Sequence, residues 1–253
     1  MKISYKIPKE GSDYPKHSEY VIKQITGIIK NAIDAKRNLI FIHTNLRRGL
    51  PLENIHKVAG PFVEAWAYEQ FEDVKEDKDN SYELINVEPG DRLDPFDIIL
   101  QFQRKRDGSD YLSADVDVKA TAEDIKTSGR SPNITSFARI RSAFLEDPDY
   151  IFIILSLKHK VYGERDKKTG MTNGIMEVVG YAVYDLKYVA SSDLSYNRAL
   201  GTGQLQIRDI HYVDIEKRTT WEFVQLLDTK FKRSKGEKAW LRLARQHGWI
   251  KEE

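Results

Sequence analysis

Leu112-Ser-Ala-Asp-Val-Asp-Val-Lys-Ala-Thr121 carries the reading of the whole chain. Its apolar and polar residues alternate with period two. That pattern predicts a strand with Val116 and Val118 turned to the core and Asp115, Asp117 and Lys119 together on the opposite face. Two carboxylates and an ammonium on one face of an apolar-backed strand are costly as structure alone. The plain alternative is a salt-bridge ladder on an exposed strand, because a three-residue Asp-x-Lys pattern arises by chance.

The segment upstream changes that balance. Phe96–Gln103 also reads as a strand, and Asp107-Gly108 is a hairpin turn signal joining it to a strand over Tyr111–Ala120. Such a hairpin brings Asp97 beside Asp117. Asp94 is the other candidate for the first acid; Asp97 is favoured because it leads directly into Ile-Ile-Leu. Two carboxylates and a lysine meet the needs of metal-dependent phosphodiester hydrolysis. The acids hold Mg²⁺ through hard oxygen ligands, and the lysine (Lys119) orients water or offsets developing charge. This is the PD-(D/E)xK pattern. A helix is predicted over Leu52–Phe71. Glu64 is a third candidate acid: on a helix beginning near Pro61 it would point toward the sheet one turn in, although a glutamate in a first helical turn also serves as a dipole or capping partner.

Elsewhere the spacing of Val21, Ile25, Ile28, Ile29 and Ala32 predicts a helix capped by Ser18 and running to about Ala35. Its apolar stripe suits either core or an intersubunit contact. Leu39–Ile42 reads as a buried strand, Lys75–Asn80 as a charged loop and Tyr150–Leu157 as a central strand. A charged turn is expected at Gly163–Gly174 and strand at Ile175–Val189. Ile134–Leu145 reads as a helix with Arg139 and Arg141 exposed and Asn133 as a possible N-cap. The chain ends in helix from about Arg218. Gln204, Gln206 and Arg208 alternate onto one face of a further strand, and Tyr196 is as readily core as site. Mixed strands and helices without a linker or repeat imply one α/β or α+β domain, 1–253.

Composition narrows the chemistry. The 253 residues hold 40 Lys+Arg against 39 Asp+Glu and no cysteine. The lack of cysteine excludes a disulfide framework, a thiolate zinc site and a cysteine nucleophile. Six histidines lack ligand spacing, and Gly201-Thr-Gly203 is too short for a phosphate-binding loop. Short apolar runs and a polar start at Met1 predict a cytoplasmic protein with no membrane span. The near-neutral total conceals two blocks. Glu69–Asp97 holds eleven acids against Lys75, Lys78 and Arg92, whereas Lys230–Lys251 holds eight Lys/Arg against Glu237. Each block alone reads as solvated surface. Together they permit a cation site in one region and a polyanion surface in another.

Longer segments carry a family resemblance. Asp117-Val-Lys-Ala-Thr121 and Ser128-Gly-Arg-Ser-Pro-Asn-Ile-Thr-Ser136 resemble type II restriction endonucleases of the HpaI and HincII kind. The likeness to the HpaI group extends through Thr44–Ile55, Asp97–Gln103, Ala199–Gln204, Asp209–Tyr212 and Lys217–Trp221. It implies a restriction-endonuclease-like fold, a mixed sheet flanked by helices. Asp97, Asp117 and Lys119 correspond to the family's catalytic triad, and Val118 contributes a backbone carbonyl as a possible metal ligand. Arg130, Ser131 and Asn133 match its DNA-reading loop, where the HincII branch has a glutamine in place of Arg130. Asn197 falls in a second base-contacting segment. Asn is suited to bidentate contact with adenine and Arg to guanine or phosphate. Gln204 and Gln206 join these as groove-facing candidates.

The resemblance further implies a bacterial homodimer embracing palindromic double-stranded DNA. It would use Mg²⁺ to make a blunt cut in a GT…AC-type hexanucleotide, with a cognate DNA methyltransferase as functional partner. The alternatives are a repair or recombination nuclease of the same superfamily and a non-catalytic DNA-binding protein.

Overall fold

A computed structural model describes residues 3–252 except 47, 92–93, 105–110, 200 and 202; the side chains of 52, 53 and 252 also lie outside it. The chain begins with β1 (Ile3–Tyr5), α1 (Tyr14–Asp34), β2 (Leu39–Ile42), α2 (Leu52–Glu76), β3 (Leu84–Pro89), β4 (Ile98–Gln103) and β5 (Tyr111–Ala122). It continues through β6 (Asn133–Ser136), α3 (Phe137–Glu146), β7 (Phe152–Arg165) and β8 (Thr172–Asp185). A 3₁₀ turn at Leu186–Tyr188 precedes β9 (Leu194–Asn197), β10 (Gln204–Ile207), α4 (Thr220–Lys235), α5 (Glu237–Gln246) and β11 (Ile250–Glu252). Two compact units emerge. A terminal unit comprises Met1–Glu19, Arg130–Phe152 and Asp185–Glu253, and a six-stranded unit comprises Tyr20–Gly129 and Ile153–Tyr184.

In the six-stranded unit the strand order is β2-β8-β7-β5-β4-β3. The expected hairpin partners pair antiparallel, with Ile98 opposite Val116 and Gln103 opposite Tyr111. The Asp107-Gly108 turn itself lies outside the described residues. On the other side of β5, Thr121 Oγ1 donates to Leu157 O (3.4 Å) and Glu123 N–H to His159 O (2.7 Å). Residue numbers rise together along β5 and β7, so these strands run the same way and the sheet is mixed. Leu112, Ala114, Val116 and Val118 are buried, as period two requires. Helix α2 packs on β5 and β3. It buries Ile55, Ala59, Val63, Trp66, Ala67 and Phe71, a stripe with the three-to-four spacing of an amphipathic helix.

Several expectations shift here. Helix α2 continues past Phe71 to Glu76, absorbing the start of the expected Lys75–Asn80 loop. It also accommodates Pro61 on its exposed side, where the carbonyl left without a partner can be solvated. Strand β2 is an edge strand: Leu39 and Phe41 are 38% and 51% exposed, so only half of it is core. The stripe from Val21 to Ala32 on α1 is buried within this chain, which assigns it to core rather than to a partner. The charged stretch Gly163–Gly174 is a narrower turn than expected, because β7 and β8 extend into it from both sides.

The terminal unit contains the three-stranded sheet β6-β10-β9 and the pair β1-β11. Ser18 does not cap α1; it lies inside the helix and donates its hydroxyl to Asp185 (2.7 Å). The expected helix at Ile134 begins three residues later, at Phe137, because Asn133–Ser136 pairs with β10 as a strand. Asn133 is therefore a strand residue, and Ser136 occupies the N-cap position. Arg141, expected to be exposed, is fully buried. It lies one turn beyond Phe137 on the apolar face of α3 and forms a bidentate pair with Asp228 of α4 (2.6 and 2.9 Å). Trp240 Nε1 donates to the same carboxylate (2.8 Å). Among the described residues, no helix is long and apolar enough to cross a membrane.

Candidate active site

The antiparallel pairing of β4 and β5 determines where the acids fall. Ile98 faces Val116, so Asp97, one residue before β4, lies beside Asp117. Its own N–H donates to Val116 O (2.9 Å), and its Oδ2 accepts from Val118 N–H (2.7 Å). Asp97 is thus fixed by the backbone on either side of Asp117. Asp94 is turned elsewhere: its Oδ2 accepts from Asp91 N–H (2.8 Å). Of the two alternatives for the first acid, Asp97 is the one that meets Asp117.

Asp117 is 2% exposed and accepts a hydrogen bond from the Lys119 ammonium at Oδ1, while its Oδ2 is buried with no protein partner. Burial pushes its carboxyl up to about 7; the Lys119 charge opposes this and the Asp97 charge adds to it. Glu64, on the exposed face of α2, is raised for related reasons: partial burial first, then Asp97, with Lys119 opposing. An open cleft of about 350 Å³ is lined by Glu64, Asp97, Pro61, Ala65, Tyr68 and Ile98. All four catalytic candidates, Glu64, Asp97, Asp117 and Lys119, are therefore brought together in the six-stranded unit.

This donor set suits a divalent cation. A buried carboxylate oxygen without a partner, beside a second carboxylate that repels it, is relieved by a positive charge. Among the described residues, no three histidine, aspartate or glutamate side chains enclose a metal by themselves. An open pair of carboxylates leaves a divalent cation positions for waters and substrate phosphate.

The DNA-reading candidates all lie in the terminal unit. Across the antiparallel sheet, Gln206 faces Asn133 on one side and Ser195 on the other; Gln204 faces Ser136 and Asn197. These six side chains share one face, while Ile134, Thr135, Leu194, Leu205 and Ile207 are buried. Gln204, Gln206, Asn133 and Asn197 are thus assembled into one amide-rich surface. Ser136 and Ser195 complete it and were missed, although the alternation in Leu194-Ser-Tyr-Asn197 is a readable signal. Tyr196 points the other way, edge-on to Phe137 and Phe231 (5.8 and 5.3 Å). Gly203 permits this: a β-carbon there would fall 1.9 Å from the Tyr196 hydroxyl. Arg130, Ser131 and Asn133 are exposed, and the Arg130 backbone forms an isolated antiparallel β-bridge with that of Asp209, just after β10.

Comparison with known proteins identifies the family of the chain. The family model described as "Type II restriction endonuclease HpaI" matches residues 1–248. The chain is 54% identical over 226 residues to "Type II restriction enzyme HpaI" of Haemophilus parainfluenzae, covering 89% of this chain and 88% of that one. Among solved structures, "NlaIV restriction endonuclease" aligns with 88% of this chain and 87% of its own, at 16% identity and a TM-score of 0.46. The family match over nearly the whole length and the 54% identity place the chain plainly: it belongs to the HpaI family of type II restriction endonucleases, enzymes that cut DNA at specific sites.

Proposed function

We propose that this enzyme hydrolyses one phosphodiester bond in each strand of a palindromic GT…AC-type hexanucleotide, leaving blunt ends with 5′-phosphate and 3′-hydroxyl. The observation that carries the mechanism is the buried, unpartnered Oδ2 of Asp117 between Asp97 and Lys119. Asp97 and Asp117, with the Val118 carbonyl, are the residues that would hold Mg²⁺. When bound, Mg²⁺ supplies Lewis-acid polarisation of the scissile phosphate and acidifies an attacking water.

The chain's own groups do the rest. Lys119, tethered to Asp117, offsets negative charge growing on the phosphate oxygens and orients water. Asp97, pinned by Val118 N–H, keeps its carboxylate directed into the cleft without further reorganisation. Glu64, its carboxyl raised, stands in the same cleft to take up a proton from the water. In the terminal unit, Asn133, Asn197, Gln204 and Gln206 offer paired donors and acceptors to base edges, and Arg130 and Ser131 address phosphate or groove.

The chain functions as one endonuclease subunit over its whole length, which the extent of the family match supports. Two copies are required, because a palindrome presents two equivalent strands and each subunit has one triad. A bacterial cytoplasm containing a methyltransferase that protects the same site is the fitting context. The decisive test is digestion of DNA of known sequence with Mg²⁺ and mapping of the ends. Discrete fragments with flush termini at one palindrome are expected; staggered ends or an asymmetric site would reject this reading.

A further inference from the structure

Ser131 is conformationally unusual. Its φ is +50°, and it is one of three described non-glycine residues, with Lys36 and Glu83, in the left-handed region. It also precedes Pro132, whose ring disfavours helical conformations in the residue before it. Such a backbone persists only where its surroundings hold it. Strand β10 and the residue after it hold both backbone groups of Ser131. The Ser131 N–H donates to Arg208 O (3.0 Å), and the Ser131 carbonyl accepts from Gln206 Nε2 (2.8 Å). An isolated backbone β-bridge between Arg130 and Asp209 continues this attachment. Gln206 is opposite Asn133 in the ladder, and the register shifts between Leu205 and Gln206, an irregularity of the kind that re-aims side chains.

We infer that Gln206 is a positioning residue: its amide clamps Ser131 and so sets the bend from which Arg130 and Asn133 are presented to DNA. This rests on the proposed function and reassigns one residue within it. The side chain expected to read a base commits one of its two amide N–H donors to the reading loop, which fixes its orientation there. Gln206 then acts on specificity through Asn133 and Arg130, and its loss blurs more than one base position.

A double-mutant cycle tests this. Cleavage rates at the cognate site and at each single-base variant are compared for the native enzyme, Gln206→Met, Asn133→Ala and the double variant, with melting temperatures as a folding control. Each single substitution should lower discrimination about tenfold. The double should also lose about tenfold rather than about a hundredfold, because the two residues act as one unit. Gln206→Met should weaken discrimination at two or more base positions. If Gln206→Met does not fold, Gln206→Glu, of the same shape but acceptor-only when ionised, takes its place in the cycle. Additive losses, a defect confined to one base pair, or no defect would each overturn the clamp while leaving the nuclease assignment intact. Failure of the native enzyme to yield discrete fragments from any duplex would instead remove the proposed function, and the clamp with it.

Discussion

Two buried aspartates, one in each unit, show how the same residue type is used in opposite ways. Asp185 is 1% exposed and Asp117 is 2% exposed, and burial raises the carboxyl of both. Asp185 is surrounded by donors. Tyr14 Oη and Ser18 Oγ reach its Oδ2 at 2.7 Å each, and Lys187 N–H reaches Oδ1 at 2.8 Å. Asp117 has the Lys119 ammonium on one oxygen, no protein partner on the other, and a second carboxylate alongside. A buried carboxylate saturated with hydrogen bonds is architecture. One left half-satisfied beside a like charge is an arrangement that a bound cation would relieve.

The strongest way to break this comparison is at Asp117. Asp117→Asn should reduce Mg²⁺-dependent cleavage by about a thousandfold or more, on the order of 4 kcal/mol of barrier. Stability should move in the opposite sense. The folded carboxyl, at about 7, binds its proton more tightly than the unfolded one, near 3.8. Its contribution to stability is therefore complete below about pH 4 and is lost as pH rises to about 7, at roughly 1.4 kcal/mol per pH unit. Without metal, the asparagine variant should melt above the native protein at pH 8, with the gap closing towards pH 4. Added divalent cation should stabilise the native protein at pH 8 and leave the variant unmoved. Equal melting of the two proteins at both pH values would contradict the picture of a frustrated Asp117.

Asp185 should give the mirror result. Asp185→Ala strands the Tyr14 and Ser18 hydroxyls and the Lys187 N–H in the interior, costing about 3 kcal/mol in urea unfolding. The cleavage rate per folded molecule should stay within about threefold, since the group plays no part in the chemistry. A large loss of rate with unchanged unfolding would reverse the assignment.

Asp117 was legible in the sequence and Asp185 was not, for a physical reason. Asp117 and Lys119 lie two residues apart on one strand, and Asp97 reaches them through a short hairpin, so period and turn chemistry suffice to assemble them. Glu64 is legible only as an acid on a helix; its approach to Asp97 comes from the packing of α2 on the sheet. The Asp185 cluster draws its donors from Tyr14 and Ser18, 171 and 167 residues away, and no local pattern encodes that. Arg141 shows the same limit: its charge suggested solvent, but its partner Asp228 lies 87 residues on. Strand β6 lies at the start of Ile134–Leu145, whose local character is helical; pairing with β10 overrides that propensity. Strand β3 is hidden in the acidic block: its buried residues, Leu84 and Val87, are three apart because the register shifts between Leu84 and Asn86, so no period of two is there to read. The lack of a hydrogen-bond donor to Asp117 Oδ2 is a property of packing alone, and no sequence pattern reports it.

The smallest expected effect sharpens the comparison within a single turn. Asp94 and Asp97 are three residues apart and were rivals for the same role. Asp97 Oδ2 is engaged by Val118 N–H beside Asp117, whereas Asp94 Oδ2 accepts from Asp91 N–H in an exposed turn. Asparagine retains a carbonyl oxygen for that turn bond, so Asp94→Asn should change cleavage by less than about threefold and stability by less than about 0.5 kcal/mol. Asp97→Asn should follow Asp117→Asn, because its charge, not its hydrogen bond to Val118, is what the site lacks after substitution. Time courses of plasmid cleavage for the two variants side by side decide the matter. If Asp94→Asn fell as far as Asp97→Asn, the first acid would have to be sought in the turn rather than at the strand.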